Sequence, residues 1–261
     1  MQRISIHVTT KDRYGELAVL LQSLRTQTYK DWDLVLLDES SIPVTSSELV
    51  MKLIARIKLE NHYVNLIRNE LSLGVCNARN ELIKKDYFNN PLICRLDDDV
   101  VIEQDYLDKL VEIIIHGYDI ASGVTPLLFQ PELIRDISKV IPIINKKEYD
   151  KQGNITYYGD DCGYSYNKEK VLLAHEFRSC ALMKKEVVDK IHYEENLSPV
   201  GFREEGFFSI RAMKAGFKIG VNTHAVAYHF VSSAGGCRFP DYPRKVQSDD
   251  NYFKKWVKEQ W

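Results

Sequence analysis

The sequence predicts an α/β fold, with a mainly parallel central sheet flanked by helices and an elaborated second half. Three observations carry this. Short apolar runs of strand length alternate with stretches of helical periodicity through the first half of the chain. The runs end on polar or charged residues. The 261 residues are 44% hydrophobic and 28% charged, the balance of a soluble globular protein able to bury a substantial core.

Residues 3–8 form a β-branched run, and residues 16–26 place Leu17, Leu20, Leu21 and Leu24 on one helical face. Residues 32–37 are a second strand, closed by Asp38; 47–59 are an amphipathic helix; 64–67 are a third strand, followed by Arg68. A helix over 77–85 precedes a fourth strand, 92–96, which runs into Asp97, Asp98 and Asp99. Such alternation implies a parallel sheet covered on both faces, with ligands beyond the carboxyl ends of its strands. Four of those ends carry polar groups: Thr9 and Thr10, Asp38, Arg68, and the three aspartates. After a helix over 106–116 the pattern loosens, and 123–167 read as strands and loops added to one side of the sheet. Regular structure returns with a segment at 179–183, helices near 185–191 and 205–215, and a strand at 218–221. The tail, 231–261, opens with "SSAGGC" and closes with the aromatic, basic "NYFKKWVKEQW". No repeat or linker divides the chain, so one continuous domain is expected.

Thirty-five basic residues against thirty-seven acidic ones give a net charge of −2. No global field draws this chain to nucleic acid, and an anionic ligand must be held locally. The five cysteines (76, 94, 162, 180, 237) are dispersed and odd in number, with no CxxC pair. That pattern fits reduced thiols in a cytoplasmic protein, not a disulfide framework or a zinc site. There is neither a signal-like start nor an apolar run of about 18 residues that would span a bilayer.

Adjacent carboxylates repel one another, so Asp97, Asp98 and Asp99 must be either solvated or set against a cation. On an extended chain Asp97 and Asp99 share one side and Asp98 faces the other. Two readings are open: a divalent cation bridging a diphosphate, or an acidic loop opening the next helix. Glu204 and Glu205 start a helix after a glycine-bearing loop; one is a general base if partly desolvated, or both are helix-terminal charges paired with Arg211. His229, in "AVAYHF", is either a core or edge histidine or a ligand to metal or diphosphate. Arg79, in "GVCNARN", can reach a phosphate or base edge or simply be solvated; Arg178, in "AHEFRSCALM", is a further candidate.

In order and spacing these pieces resemble family 2 glycosyltransferases. The residues that carry the likeness are Thr9-Thr10-Lys11-Asp12-Arg13, "LVLLDESS" at 34–41, "GVCNARN" at 74–80, "RLDDDV" at 95–100, and Glu204-Glu205 followed by "AYH". The resemblance implies a GT-A fold with a DxD motif: a nucleotide-sugar-binding half over about 1–105, an acceptor and catalytic half over about 106–230, then a flexible loop and C-terminal helix. It implies an inverting transfer from a UDP- or GDP-sugar to a saccharide or lipid-linked acceptor, assisted by Mn2+ or Mg2+. By position, Asp38 falls on the nucleobase contact with Thr9 beside it, and Asp97 on a ribose or metal contact. Asp99 falls on the metal ligand, Glu205 on the catalytic base, and His229 on a histidine that closes over the metal-diphosphate. Thr10, Lys11, Arg13, Arg68, Arg79 and Asp98 complete the expected nucleotide-sugar site, with Glu204 as the other candidate base. The chain departs from the family pattern at three places: Lys11 replaces an aromatic residue, Glu39 an aspartate, and Glu204-Glu205 a Glu-Asp pair.

Other classes compete. A phosphotransferase of the haloacid-dehalogenase kind puts its aspartates after the first strand, not the fourth. A nucleotidyltransferase needs a glycine-rich basic loop near the start, which residues 9–13 lack. A nucleotide-sugar-binding module without turnover would keep the same residues. The tail aromatics Tyr252, Phe253, Trp256 and Trp261 either rest on a membrane surface, placing the protein at the inner face of the membrane, or pack as a terminal helix.

Overall fold

The computed structural model describes residues 2–129, 147–149, 155–158, 171–238 and 240–260. In chain order the elements are β1 (Ile4–Thr10), α1 (Tyr14–Arg25), β2 (Trp32–Asp38), α2 (Glu48–Leu59), β3 (Val64–Arg68) and α3 (Val75–Lys85). Then come β4 (Leu92–Asp97), β5 (Val100–Ile102), α4 (Tyr106–Ile115), β6 (Ile120–Val124), β7 (Lys147–Tyr149) and β8 (Ile155–Tyr158). The last are β9 (Val171–Ala174), β10 (Ala181–Lys184), α5 (Lys185–Lys190), α6 (Glu204–Lys214), β11 (Ile219–His229) and α7 (Tyr242–Gln260).

The main sheet runs β3-β2-β1-β4-β10-β6-β11-β5, with β9 paired to β11, while β7 and β8 form a separate hairpin pair. The first four strands are mutually parallel, so their carboxyl ends share one edge. Register then does the assembling: Thr10 lies opposite Asp38, Thr9 opposite Asp97, and Asp38 opposite Arg68. β2 is buried at every position, as expected of a parallel strand covered on both faces. Helices α1, α2 and α4 cover one face through Leu17, Leu21, Ile54 and Leu110. The other face packs Ile93, Met183, Phe207, Phe208 and Phe253.

The second half joins by antiparallel pairing of β10 with β4 and β6. β11 is much longer than the strand expected at 218–221 because it continues through "AVAYH" after a bulge. At the bulge Asn222 accepts a bond from the His224 amide (2.9 Å), a local polar turn that masks the strand's periodicity. Past the bulge, β11 pairs antiparallel with β5 and sets His229 opposite Val100. Most of the strands and loops expected over 123–167 lie outside the described residues. In the tail, Phe253 and Val257 are buried, and Phe253 packs edge-on against Phe207 with centroids 5.0 Å apart. These two side chains belong to the core, which is the packed-helix alternative for Phe253; Trp261 lies outside the described residues. Among the described residues, no helix is long and apolar enough to cross a membrane.

Candidate active site

β4 delivers Asp97 to its last position, and the chain turns at Asp98 and Asp99 before β5. That turn overrides the alternation expected of an extended chain. Asp97 accepts a bond from Arg79 Nη2 at 2.7 Å, whereas Asp98 and Asp99 both face Arg13, whose Nη1 is 2.9 Å and 3.1 Å from them. Asp98 therefore does not point away; it lines the same cavity as its neighbours and also accepts from Thr10 Oγ1 at 2.8 Å. Each carboxylate has a guanidinium at hydrogen-bond range, which is how three adjacent acids can share a buried turn. Burial, opposed by Arg13 and reinforced by Asp99, pushes Asp98 up to about 6. Burial acts on Asp97 as well, but Arg79 and Arg95 outweigh it and hold this acid at about 2.

His229 Nε2 lies 3.1 Å from Asp99 Oδ1. Against the effect of burial on both, the histidine holds Asp99 below its ordinary range and Asp99 holds the imidazole above its own. The pair also fits a divalent cation. Ligands at ~2.1 Å in an octahedral shell sit about 3.0 Å apart when adjacent, close to the spacing of these two atoms. The other Asp99 oxygen is held by Arg13 and by the Ser232 amide at 3.2 Å. Among the described residues no three acidic, histidine or cysteine side chains gather as a cation cage. Such a shell would be completed by water and phosphate oxygens, the usual way Mg2+ is held.

A second charged cluster forms the cavity's opposite side. Arg95, in the middle of β4, is buried between Phe177 and Tyr193, its guanidinium carbon 5.6 and 5.7 Å from the ring centroids. Its Nη2 reaches Glu205 Oε1 at 2.8 Å and Glu204 Oε1 at 3.3 Å. Arg79 bridges Glu204 to Asp97, linking the two charged clusters. Glu204 is sealed between the two arginines, its side chain 5% exposed, while that of Glu205 is 20% exposed. Both line the cavity, and Glu205 is the more open of the two. Neither pairs with Arg211, which contacts Glu194 instead.

The cavity between these clusters measures about 460 Å³ and opens at the carboxyl ends of β1 and β4. Thr9, Lys11 and Arg178 also line it, so nearly all the residues expected from sequence converge here. Asp38 and Arg68 do not. The Asp38 carboxylate accepts from the Ser40 amide (2.9 Å) and the Val44 amide (2.8 Å), closing its own loop in an Asx-type turn. Arg68 donates to the carbonyls of Asp38, Asn69 and Ser40 and fastens the same loop. Glu39, passed over in the sequence except as a departure, is the acid of this segment on the cavity wall; it accepts from Ser72 Oγ and the Leu73 amide. Arg95, noted in the sequence only as the first residue of "RLDDDV", carries a signal of its own: a cation inside an apolar strand two residues before Asp97 needs a buried partner.

The "SSAGGC" segment is folded against the site. Arg13 Nε donates to the Ala234 carbonyl at 2.8 Å and Nη2 to that of Ser232 at 3.2 Å. Gly235 has φ of 59°, and a Cβ there would lie 2.4 Å from the Lys11 carbonyl oxygen. Glycine is required by that approach.

Parallel strands in the first half, antiparallel pairing in the second and an acidic turn after the fourth strand define a GT-A fold. The chain belongs to glycosyl transferase family 2, whose family model matches residues 5–191. Solved structures agree on the fold. The crystal structure of S. aureus TarS 1–349 superposes with a TM-score of 0.58 at 14% identity, covering 87% of this chain and 60% of that one. A structure of GalNAc-T7 with UDP, GalNAc and Mn2+ gives 0.64 at 15% identity, covering 98% and 50%. A second S. aureus TarS structure gives 0.57 at 15% identity, covering 93% of this chain and 41% of that one. The chain thus spans 41–60% of the length of these structures. No curated protein matches the sequence.

Proposed function

We propose that this protein transfers a sugar from a nucleoside-diphosphate sugar to an acceptor hydroxyl, with inversion, in polysaccharide or glycoconjugate synthesis. One observation carries the reading: Asp97 to Asp99, His229 and Glu205 line one cavity at the carboxyl edge of a parallel sheet. Asp99 and His229 would hold Mn2+ or Mg2+ through Oδ1 and Nε2, and the UDP and Mn2+ bound to GalNAc-T7 favour this donor and cofactor class. The cation, when bound, neutralises the departing diphosphate. Thr9 and Lys11 flank the donor, and Glu39, in place of Asp38, faces its base. Arg79 and Arg13 hold the acidic turn in shape. Glu205 takes the proton of the acceptor hydroxyl as that oxygen attacks the anomeric carbon from the face opposite the leaving group. Arg95 holds one oxygen of Glu205 and so fixes the direction of the other.

The test is diphosphate release from a panel of UDP- and GDP-sugars with Mn2+ and saccharide acceptors. Glu205→Gln is expected to lower turnover by about 10²–10⁴-fold, the worth of a general base, with donor binding by calorimetry unchanged. Asp99→Ala is expected to abolish both metal-dependent binding and transfer. Near-normal turnover in Glu205→Gln would remove the base assignment. Donor binding without turnover in the unaltered protein would make it a binding module.

A further inference from the structure

Residues 198–203 lead into α6 and so aim Glu204 and Glu205. Two of them have left-handed backbones, Gly201 at φ 67° and Arg203 at φ 74°. Arginine is disfavoured there, so the conformation must be imposed by its surroundings. Those surroundings come from α7. Asp249, 2% exposed, accepts bonds from the Ser198 amide (2.7 Å), the Ser198 hydroxyl (2.7 Å) and the Phe202 amide (3.0 Å). Its neighbour Asp250 accepts two bonds from the Arg203 guanidinium, at 2.9 and 2.8 Å.

α7 is itself seated directly behind the base. Gly206, the residue after Glu205, lies under the Phe253 ring, and a Cβ there would be 2.9 Å from Phe253 Cζ. On the far side the Val75 amide donates to the Pro199 carbonyl at 3.0 Å, and a Cβ on Gly74 would fall 2.8 Å from Pro199 Cα. The loop is therefore gripped between the start of α3 and the body of α7. Both aspartates are absent from the cavity wall, and both lie beyond residues 5–191.

We infer that Asp249 and Asp250 are positioning residues for the transfer: α7 fixes the 198–203 backbone and through it the direction in which Glu205 enters the cavity. This rests on Glu205 being the base. A loosened base remains chemically competent but spends less time aligned, so kcat falls while donor affinity, set across the cavity, does not. Misplacement of about 1 Å can cost up to ~100-fold.

The experiment pairs steady-state kinetics with amide hydrogen exchange on Asp249→Ala and Asp250→Asn. Asp249→Ala is expected to lower kcat about 10- to 100-fold, with donor KM within about twofold. Protection of the Ser198 and Phe202 amides should be lost while that of β1 and β4 is kept. Asp250→Asn, which weakens the Arg203 tether along with the Lys254 pair one turn on in α7 (2.6 Å), is expected to give a smaller loss of the same kind, and it decides the matter if Asp249→Ala does not fold. Unchanged kcat in the folded variants, or unchanged protection at 198–203, overturns the inference. Absence of turnover in the unaltered protein instead overturns the transfer reading, and exchange still reports whether α7 holds the loop.

Discussion

Removing Arg95, which lies behind the cavity wall, should be among the costliest single changes near the site, and the structure says why. In β4, Leu92, Cys94 and Leu96 enter one core, so Arg95 must face the other side with Ile93. There it is 5% exposed, covered by Phe177 and Tyr193, and it neutralises Glu204 and Glu205 together. Arg95→Met fills much of the same space but leaves both carboxylates short of a cation. Deleting one partner of a buried pair costs ~3–5 kcal/mol. Glu204 retains Arg79, and the part-exposed Glu205 can turn into the cavity, so the expected cost lies near the lower bound, about 3 kcal/mol. The reverse deletion is milder. Glu205→Gln keeps an acceptor for Arg95, which also keeps Glu204, so about 1 kcal/mol is expected. Urea unfolding at neutral pH measures both, and the double substitution should cost less than the sum because the two residues touch. An Arg95→Met loss below about 1 kcal/mol, or one equal to that of Glu205→Gln, would refute the reasoning.

Two further outcomes follow from features away from the cavity. His62 stacks on Trp32 with ring centroids 3.6 Å apart, and its Nδ1 lies 2.7 Å from the Trp32 carbonyl oxygen. Burial lowers its pKa despite that carbonyl and Asp33. The unfolded chain therefore takes up the proton first: stability is full above about 6.5, the unfolded value, and is lost as pH falls toward the folded value. His62→Phe should remove this rise of urea midpoints with pH between roughly 5.5 and 7.5, leaving the opposite contributions of Asp98 and His229 in place, and an unaltered slope would count against this. Gly123 and Gly15 make a contrasting pair. A Cβ at 123 would lie 2.2 Å from the Ala225 carbonyl oxygen, whereas one at 15, in α1, meets nothing within 4 Å. Gly123→Ala should cost ~2–3 kcal/mol by forcing β6 from β11, and Gly15→Ala should add up to ~1 kcal/mol. A raised thermal midpoint for Gly123→Ala or a lowered one for Gly15→Ala would contradict the respective expectation.

The fold was legible because its evidence is local. Strand and helix periods in the first half, and polar residues at strand ends, survive without tertiary context. The site was legible as a set, yet individual side chains were not. Asp38 belongs to a pattern that suggests ligand contact, but its short side chain finds backbone amides two and six residues on, and Glu39 takes the wall. The aspartate alternation failed because a turn replaces extended chain at residues 98 and 99. Arg95, Asp249 and Asp250 act through partners 110 and about 50 residues away, separations that no spacing rule reaches. The bulge in β11 hid the continuity between the 218–221 strand and the run that carries His229.

The strand order has a consequence for how the chain is made. Synthesis runs from the N-terminus, and β1 to β4 can assemble as soon as residue 97 has emerged. β4 then remains an open edge until β10, at residues 181–184, arrives to pair with it. Through that interval the nascent sheet presents Leu92 to Arg95 as a template for intermolecular pairing, and Arg95 is a buried-type cation still waiting for Glu205. A fragment ending near residue 105 would be held in this state permanently. Such a fragment should therefore associate rather than fold as a free unit.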